Sequence, residues 1–97
     1  MYTPNDMDDK LIFGLHQSDQ TAFGIVYERY RREVYRYVYK LLNNKERTND
    51  LVEQIFISVW ISRLVIPEKV SLASYLRQVA GKITARYQSR EASGTNL

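Results

Sequence analysis

Asp6, Asp8 and Asp9, in the stretch "NDMDDK", are the first side chains in this chain that could do chemistry. Carboxylates so close together can hold calcium or share acid–base work. A calcium loop, however, needs oxygen ligands at alternating positions, a turn glycine and a distal glutamate. Here Lys10 stands at a ligand position, and neither the glycine nor the glutamate occurs at the required spacing. Capping of a helix by Asp6 or Asp8 explains the aspartates better. The single histidine, His16, has no carboxylate or nucleophile beside it in sequence. Cysteine is absent, which excludes disulfides and thiolate zinc sites. There is no glycine-rich phosphate loop and no G-x-S-x-G. These residues point away from an enzyme, a metal site or a cofactor, and towards a binding protein.

Two groups of residues have the spacing of binding surfaces. In "TNDLVEQIFISVW", Val52, Ile55, Phe56 and Val59 form a helical core stripe. Asp50, Glu53, Gln54, Ile57, Trp60 and Ile61 line up beside it. A strip with apolar anchors and acidic edges suits docking of another helix. A central helix buried on most sides would show the same wide apolar arc. Further on, Tyr75, Gln78, Lys82, Arg86 and Ser89 form one continuous stripe at 100° per residue. Interleaved aromatic, amide and cationic groups suit single-stranded nucleic acid, with cations on phosphates and rings on bases. An ordinary solvated face, with Tyr75 half in the core, fits the same spacing.

The elements that carry these groups read as helices. A first helix is expected at about 8–17, with Leu11, Ile12 and Leu15 on its apolar face. "SD" at Ser18 and Asp19 then breaks and recaps the chain. A second is expected at 21–42, where Phe23, Val26, Tyr27, Tyr30, Val34, Val38, Leu41 and Leu42 recur every three or four residues. A third is expected at 48–64, capped by Asn44 or Thr48. Pro67 makes a helix through "VIPEKVS" unfavourable. A fourth, capped by Ser71, is expected to reach about Ser89, with Leu72, Leu76, Val79, Ala80, Ile83 and Tyr87 facing inward. "REASGTNL" reads as a frayed tail or linker. The expected fold is therefore an all-α, compact four-helix domain.

The totals agree with this. Ninety-seven residues, 44% of them hydrophobic and 26% charged, make one ordinary globular domain. The net charge of +3 is unevenly spread. Up to Ile61 there are 8 basic and 9 acidic side chains, and from Ser62 onward 6 basic and 2 acidic. A basic C-terminal part suits a polyanion partner, and equally the solvated ends of helices. No apolar run approaches the roughly 20 residues needed to cross a bilayer, so no membrane insertion is expected. The acidic, polar N-terminus is not a secretory signal. A cysteine-free chain fits a reducing cytoplasm.

The two surfaces, in this order, resemble region 2 of the sigma-70 family of bacterial transcription initiation factors, and in particular its extracytoplasmic-function (ECF) group. "SDQTAFGIVYERYRREVYRYVYKLL" is similar to the group's first long helix, where A-F-x-x-L-Y-x-R-Y is typical. "TNDLVEQIFISVW" is similar to A-E-D-L-V-Q-E-V-F-x-x-x-W. "SLASYLRQVAGKITARYQSR" is similar to S-L-x-x-W-L-x-x-I-A-x-N-x-x-x-D-x-x-R. The likeness covers about 8–90, so the sigma domain is expected at 1–90, with 91–97 as a tail or linker start.

The resemblance implies two partners. The helix carrying Asp50, Glu53, Gln54, Ile57, Trp60 and Ile61 would dock on the clamp helices of the RNA polymerase β′ subunit. The last helix and the loop before it, about 64–70, would recognise the minus-ten promoter element and capture flipped bases of the non-template strand. Lys69, Ser71, Tyr75, Gln78, Lys82, Arg86 and Arg90 are the expected DNA contacts. An anti-sigma factor is a further implied partner, and no cofactor is implied.

The chain departs from the family pattern in several places. The usual Q-E pair is reversed to Glu53-Gln54, and Tyr75 stands where tryptophan is usual. Lys82 replaces asparagine and Arg86 replaces aspartate, so the last helix is more basic than the pattern. Stronger and more salt-sensitive phosphate attraction follows, with weaker base readout. The alternative is a diverged interaction module that binds polymerase or an anti-sigma partner without reading promoters. Nothing after Arg90 could form the family's C-terminal helix-turn-helix module. An excised domain or a truncated relative is expected, the linker-like tail favouring excision.

Overall fold

The computed structural model describes the backbone of residues 1–95 and the side chains as far as Ala92. The chain forms four helices, α1 (Asp8–His16), α2 (Gln20–Leu42), α3 (Lys45–Ile61) and α4 (Leu72–Thr95), with a 3-10 turn at Arg63–Val65. No strand occurs among the described residues. The all-α, four-helix expectation holds.

Local chemistry sets most boundaries. Ser18 takes a left-handed backbone, φ 58°, and Asp19 then caps α2 by accepting from the amides of Thr21 at 2.8 Å and Ala22 at 3.1 Å. Asn43, also left-handed at φ 51°, ends α2. Asn44 caps α3 by accepting from the Arg47 amide at 2.9 Å. Of the two expected caps, Asn44 is therefore the one used. Thr48 lies buried inside the first turn and donates to the Asn44 carbonyl at 2.7 Å. α3 thus begins three residues before the expected start at Thr48, and it ends at Ile61 rather than Leu64. Pro67 falls, as expected, in the non-helical segment before α4.

Two further expectations are corrected at the helix ends. Neither Asp6 nor Asp8 caps α1, whose N-cap is Met7 with no side-chain cap. Asp6 instead accepts from the Thr3 amide at 2.7 Å, a bond that holds its carboxyl below the ordinary range. Asp8 reaches across the fold and accepts from the Leu72 amide at 2.9 Å, so it caps α4. The same carboxylate accepts from the Tyr30 hydroxyl at 2.8 Å and lies 3.7 Å from the Arg29 guanidinium. The second correction concerns α4, which continues past Ser89 to Thr95. Glu91 in this extension pairs with Arg47 of α3 at 3.0 Å. Of the "REASGTNL" segment, Asn96 and Leu97 lie outside the described residues.

α2 is the central helix and packs on α1, α3 and α4. Gly14 permits the closest approach of α1, since a Cβ there would lie 2.5 Å from the Ala22 Cβ. The core combines Leu11, Ile12 and Leu15 of α1 with Val26, Val34 and Val38 of α2, and with the inward faces of α3 and α4. Edge-on ring contacts of Phe56 with Tyr27 and Phe23, at 4.9 and 6.5 Å, lock α2 to α3. Leu41, expected in the stripe, is instead exposed. In the last turn of α2 it is Leu42, not Leu41, that packs against the core.

Candidate functional site

The core stripe of α3 fixes which of its side chains face outward. Leu51, Val52, Ile55, Phe56 and Val59 are buried. That rotation leaves Asp50, Glu53, Gln54, Ile57 and Ile61 exposed. Ile57 is 57% and Ile61 73% accessible, so these two are not core residues of a helix buried on most sides. Leaving such a side chain in water forgoes about 1.5–3 kcal/mol of burial. Apolar exposure continues at Leu64 and Val65 in the 3-10 turn.

Trp60 differs from the rest of the expected strip. It is half-buried, its ring edge-on to Phe23 at 5.2 Å. The Arg63 guanidinium lies 4.2 Å from its ring centroid and donates to its carbonyl at 2.8 Å. Trp60 therefore packs on the core and offers only part of its ring outward.

The strip is wider than α3. Ile57, Glu53 and Phe56 share a hollow of about 400 Å³ with Phe23, Gly24 and Tyr27 of α2. Reading one helix at a time assigned Phe23 and Tyr27 to the core and left Gly24 without a role. The i,i+4 spacing of Phe23 and Tyr27 was the available signal. Nearer the start of α3, Asn49, Asp50 and Glu53 face Arg31, Arg32 and Arg36 of α2 across a hollow of about 480 Å³. Asp50 and Glu53 form no ion pair with them.

The α4 stripe begins from a well-fixed end. Besides the Asp8 cap, the Ser71 hydroxyl accepts from the Ser74 amide at 3.3 Å. The preceding loop is anchored by buried Ile66, whose carbonyl lies 2.8 Å from His16 Nε2. A carbonyl only accepts, so Nε2 carries the proton, and His16 ties α1 to the loop. Lys69 and Ser71 are exposed next to this anchor. Tyr75 is half-buried against the core, whereas Gln78, Lys82, Arg86 and Arg90 are exposed.

The exposed part of the stripe divides between two hollows. Gln78 and Lys82 line one with Tyr37 of α2 and with Arg77 and Gly81. Arg86 and Arg90 line another beside Gln54, Ile57 and Ile61 of α3. The expected DNA stripe therefore turns from the α2 side of α4 to the edge of the α3 strip. Tyr87 on that edge accepts from Arg47 at 2.6 Å. Burial, and then Glu91, raise its hydroxyl pKa. Among the described residues, no group of three or more His, Cys, Asp or Glu is placed to hold a metal ion.

Four helices around one core, with an acidic-apolar strip on one helix and a basic stripe on another, define a helical binding module. The family model for sigma-70 region 2 matches residues 26–92. The chain belongs to the sigma-70 region 2 family. At family level this carries RNA polymerase binding and recognition of the promoter minus-ten element, in a transcription initiation factor that is not an enzyme. The matched span begins within α2, so α1, with Asp8 and His16, and the start of α2, with Phe23 and Gly24, precede it. Neither the curated proteins nor the solved structures yield a match. Among the described residues, no helix is long and apolar enough to cross a membrane.

Proposed function

We propose that this domain works as an ECF-type sigma region 2 in the cytoplasm, docking on the β′ clamp helices through α3 and trapping the melted minus-ten strand on α4. The observation that carries the docking half is the exposure of Ile57 and Ile61 beside the hollow shared with α2. A clamp helix laid along Asp50, Glu53, Gln54, Ile57 and Ile61 would cover both isoleucines, with the exposed rim of Trp60 at the far end. The carboxylates would meet cations on the partner's edge. On the DNA side, Lys69, Ser71, Tyr75, Gln78, Lys82, Arg86 and Arg90 are the proposed contacts. Holding a flipped base offsets its lost stacking, so melting is driven by binding energy rather than by any catalytic group. An anti-sigma factor would act by covering one of these faces. The sigma unit is proposed to span 1–90.

Titration against an isolated β′ clamp-helix fragment tests this reading. Ile57→Glu should keep the melting curve of the wild type and weaken docking by roughly 10- to 100-fold, as loss of one buried isoleucine implies. A folded Ile57→Glu variant that docks like the wild type would remove the strip from the interface. Absence of wild-type docking would remove the reading itself.

One observation favours a second reading, a polymerase- or anti-sigma-binding module without promoter recognition. Arg86 and Arg90 sit beside Ile57 and Ile61, so half of the basic stripe faces the docking side. Salt-dependent binding of a minus-ten single strand separates the two readings.

A further inference from the structure

Pro67, Glu68, Lys69 and Val70, in the loop before α4, make no hydrogen bond among the described residues. A short loop without bonds of its own takes its shape from what holds its ends. Both ends are held by α1. At one end His16 Nε2 donates to the Ile66 carbonyl at 2.8 Å, and at the other Asp8 accepts from the Leu72 amide at 2.9 Å. A third tie lies just upstream, where Ser18, in the turn after α1, accepts from Arg63 Nε at 3.0 Å. Asp8 and His16 are the first and last residues of α1, so they stand about 12 Å apart along its axis. The chain from Ile66 to Leu72 could reach about 20 Å if extended. The slack bows outward, and Pro67, Glu68 and Lys69 are exposed.

The His16 bond supplies direction. Burial of the Ile66 side chain, 2% exposed, already fixes where that residue sits. The Ile66–Pro67 peptide is planar, so the orientation of its carbonyl sets the course of the chain as it leaves the core. Pro67 in turn favours an extended backbone at Ile66, which has ψ 126°. Lys69 follows three residues after Ile66, with no polar bond in between to redirect the chain. His16 itself is half-buried at the end of a helix that precedes the matched family span. It is hydrogen-bonded to none of the proposed strand contacts.

We propose that His16 is a positioning residue for the promoter strand: by aiming the Ile66 carbonyl it presets the 67–71 loop in the shape that receives a flipped base, with α1 as the loop's splint. This deepens the strand-binding half of the proposed function and rests on it. A loop already in its bound shape loses less freedom when the strand arrives. The effect therefore falls on base capture by the loop, and not on backbone attraction to α4 or on docking through α3.

The test compares His16→Ala, His16→Gln and His16→Asn in the whole chain. Glutamine Nε2 lies as many bonds from Cα as histidine Nε2 and restores the donor, whereas the asparagine amide falls one atom short. Without DNA, tryptic cleavage after Lys69, followed by mass spectrometry, should be several-fold faster in the alanine and asparagine variants and near wild type in the glutamine variant. A fluorescently labelled 12-nucleotide single strand should follow the same order. Its minus-ten-like sequence should bind about 3- to 10-fold more weakly to the alanine and asparagine variants, as loss of one hydrogen bond implies. Binding of a scrambled strand and docking on the clamp-helix fragment should stay unchanged. The inference is overturned if glutamine restores nothing, or if scrambled-strand binding and docking weaken as much, which would make His16 a packing residue only. Wild-type discrimination between the two strands that survives His16→Ala removes the role of His16 and leaves strand binding standing. A wild type that binds neither strand, or both alike, removes base capture itself, and the role of His16 with it.

Discussion

Asp8 joins three helices through one carboxylate. Its oxygens accept from Leu72 at the start of α4 and from Tyr30 on α2, while Arg29 lies 3.7 Å away. Burial, reinforced by the bond to Asp8, raises the Tyr30 hydroxyl pKa. Truncating the carboxylate would orphan an amide and a hydroxyl together. Asp8→Ala is expected to lower unfolding stability by about 1–3 kcal/mol, the usual cost of a lost cap and an unpaired buried donor. Asp8→Asn keeps one acceptor oxygen for the Leu72 amide but puts an NH2 donor in place of the other oxygen and loses the half-buried Arg29 pair, so it should recover only part of that loss. Urea unfolding of both variants checks this. Equal destabilisation by alanine and asparagine would mean that the charge, not the acceptor, does the holding. The α4 stripe depends on this contact, since Asp8 fixes the helix end from which Tyr75, Gln78 and Lys82 project.

At the scale of the elements, two glycines make opposite predictions. Gly14 sits where a Cβ would strike Ala22 at 2.5 Å and the Tyr2 ring at 2.8 Å, whereas a Cβ on Gly24 meets nothing within 4 Å. Gly14→Ala must push α1 from α2 and should destabilise by about 1–3 kcal/mol. Gly24→Ala removes only the flexibility cost of glycine in a helix and should stabilise by roughly 0.5–1 kcal/mol. Thermal unfolding of the two variants should move in opposite directions, and a loss of stability in Gly24→Ala would show that its environment is misplaced. The elements themselves were legible in the sequence because each carries an apolar stripe of helical period. The α3 strip was legible for the same reason, since Ile57 and Ile61 fall outside a stripe that already suffices for the core. Features made by two helices were not legible. Asp8 and Leu72 are 64 residues apart, so local pattern suggested a cap for α1 instead. The hollow at Phe23, Gly24 and Tyr27 exists only once α2 lies against α3. The end of α4 was missed because its stabilising partner, Arg47, comes from another helix.

For the whole molecule, the three grooves around the bundle separate two kinds of binding. Between α2 and α3 the hollow beside Ile57 has apolar walls with Glu53 on its edge, and the one nearer the start of α3 sets Arg31, Arg32 and Arg36 opposite Asp50 and Glu53. The hollow between α2 and α4 that holds Lys82 is basic. Burial of apolar surface depends little on salt, whereas phosphate contacts weaken steeply as counterions compete. Docking on the clamp helices should thus survive a rise from 50 to 200 mM NaCl that strips most single-strand affinity. The two activities should also be separable by substitution. Lys82→Ala is expected to weaken strand binding several-fold and leave docking unchanged, and Ile57→Glu to do the converse. The double variant should show both losses undiminished, because distant sites without shared partners add. Arg86→Ala is the informative third case. Its side chain lines the hollow with Ile57 and Ile61 yet continues the basic stripe, so it should weaken both activities modestly. Titrations of all four variants against both ligands, at the two salt concentrations, decide the matter. If Lys82→Ala impairs docking as much as Ile57→Glu does, the faces are not independent, and the basic helix belongs to the polymerase interface instead of to the promoter.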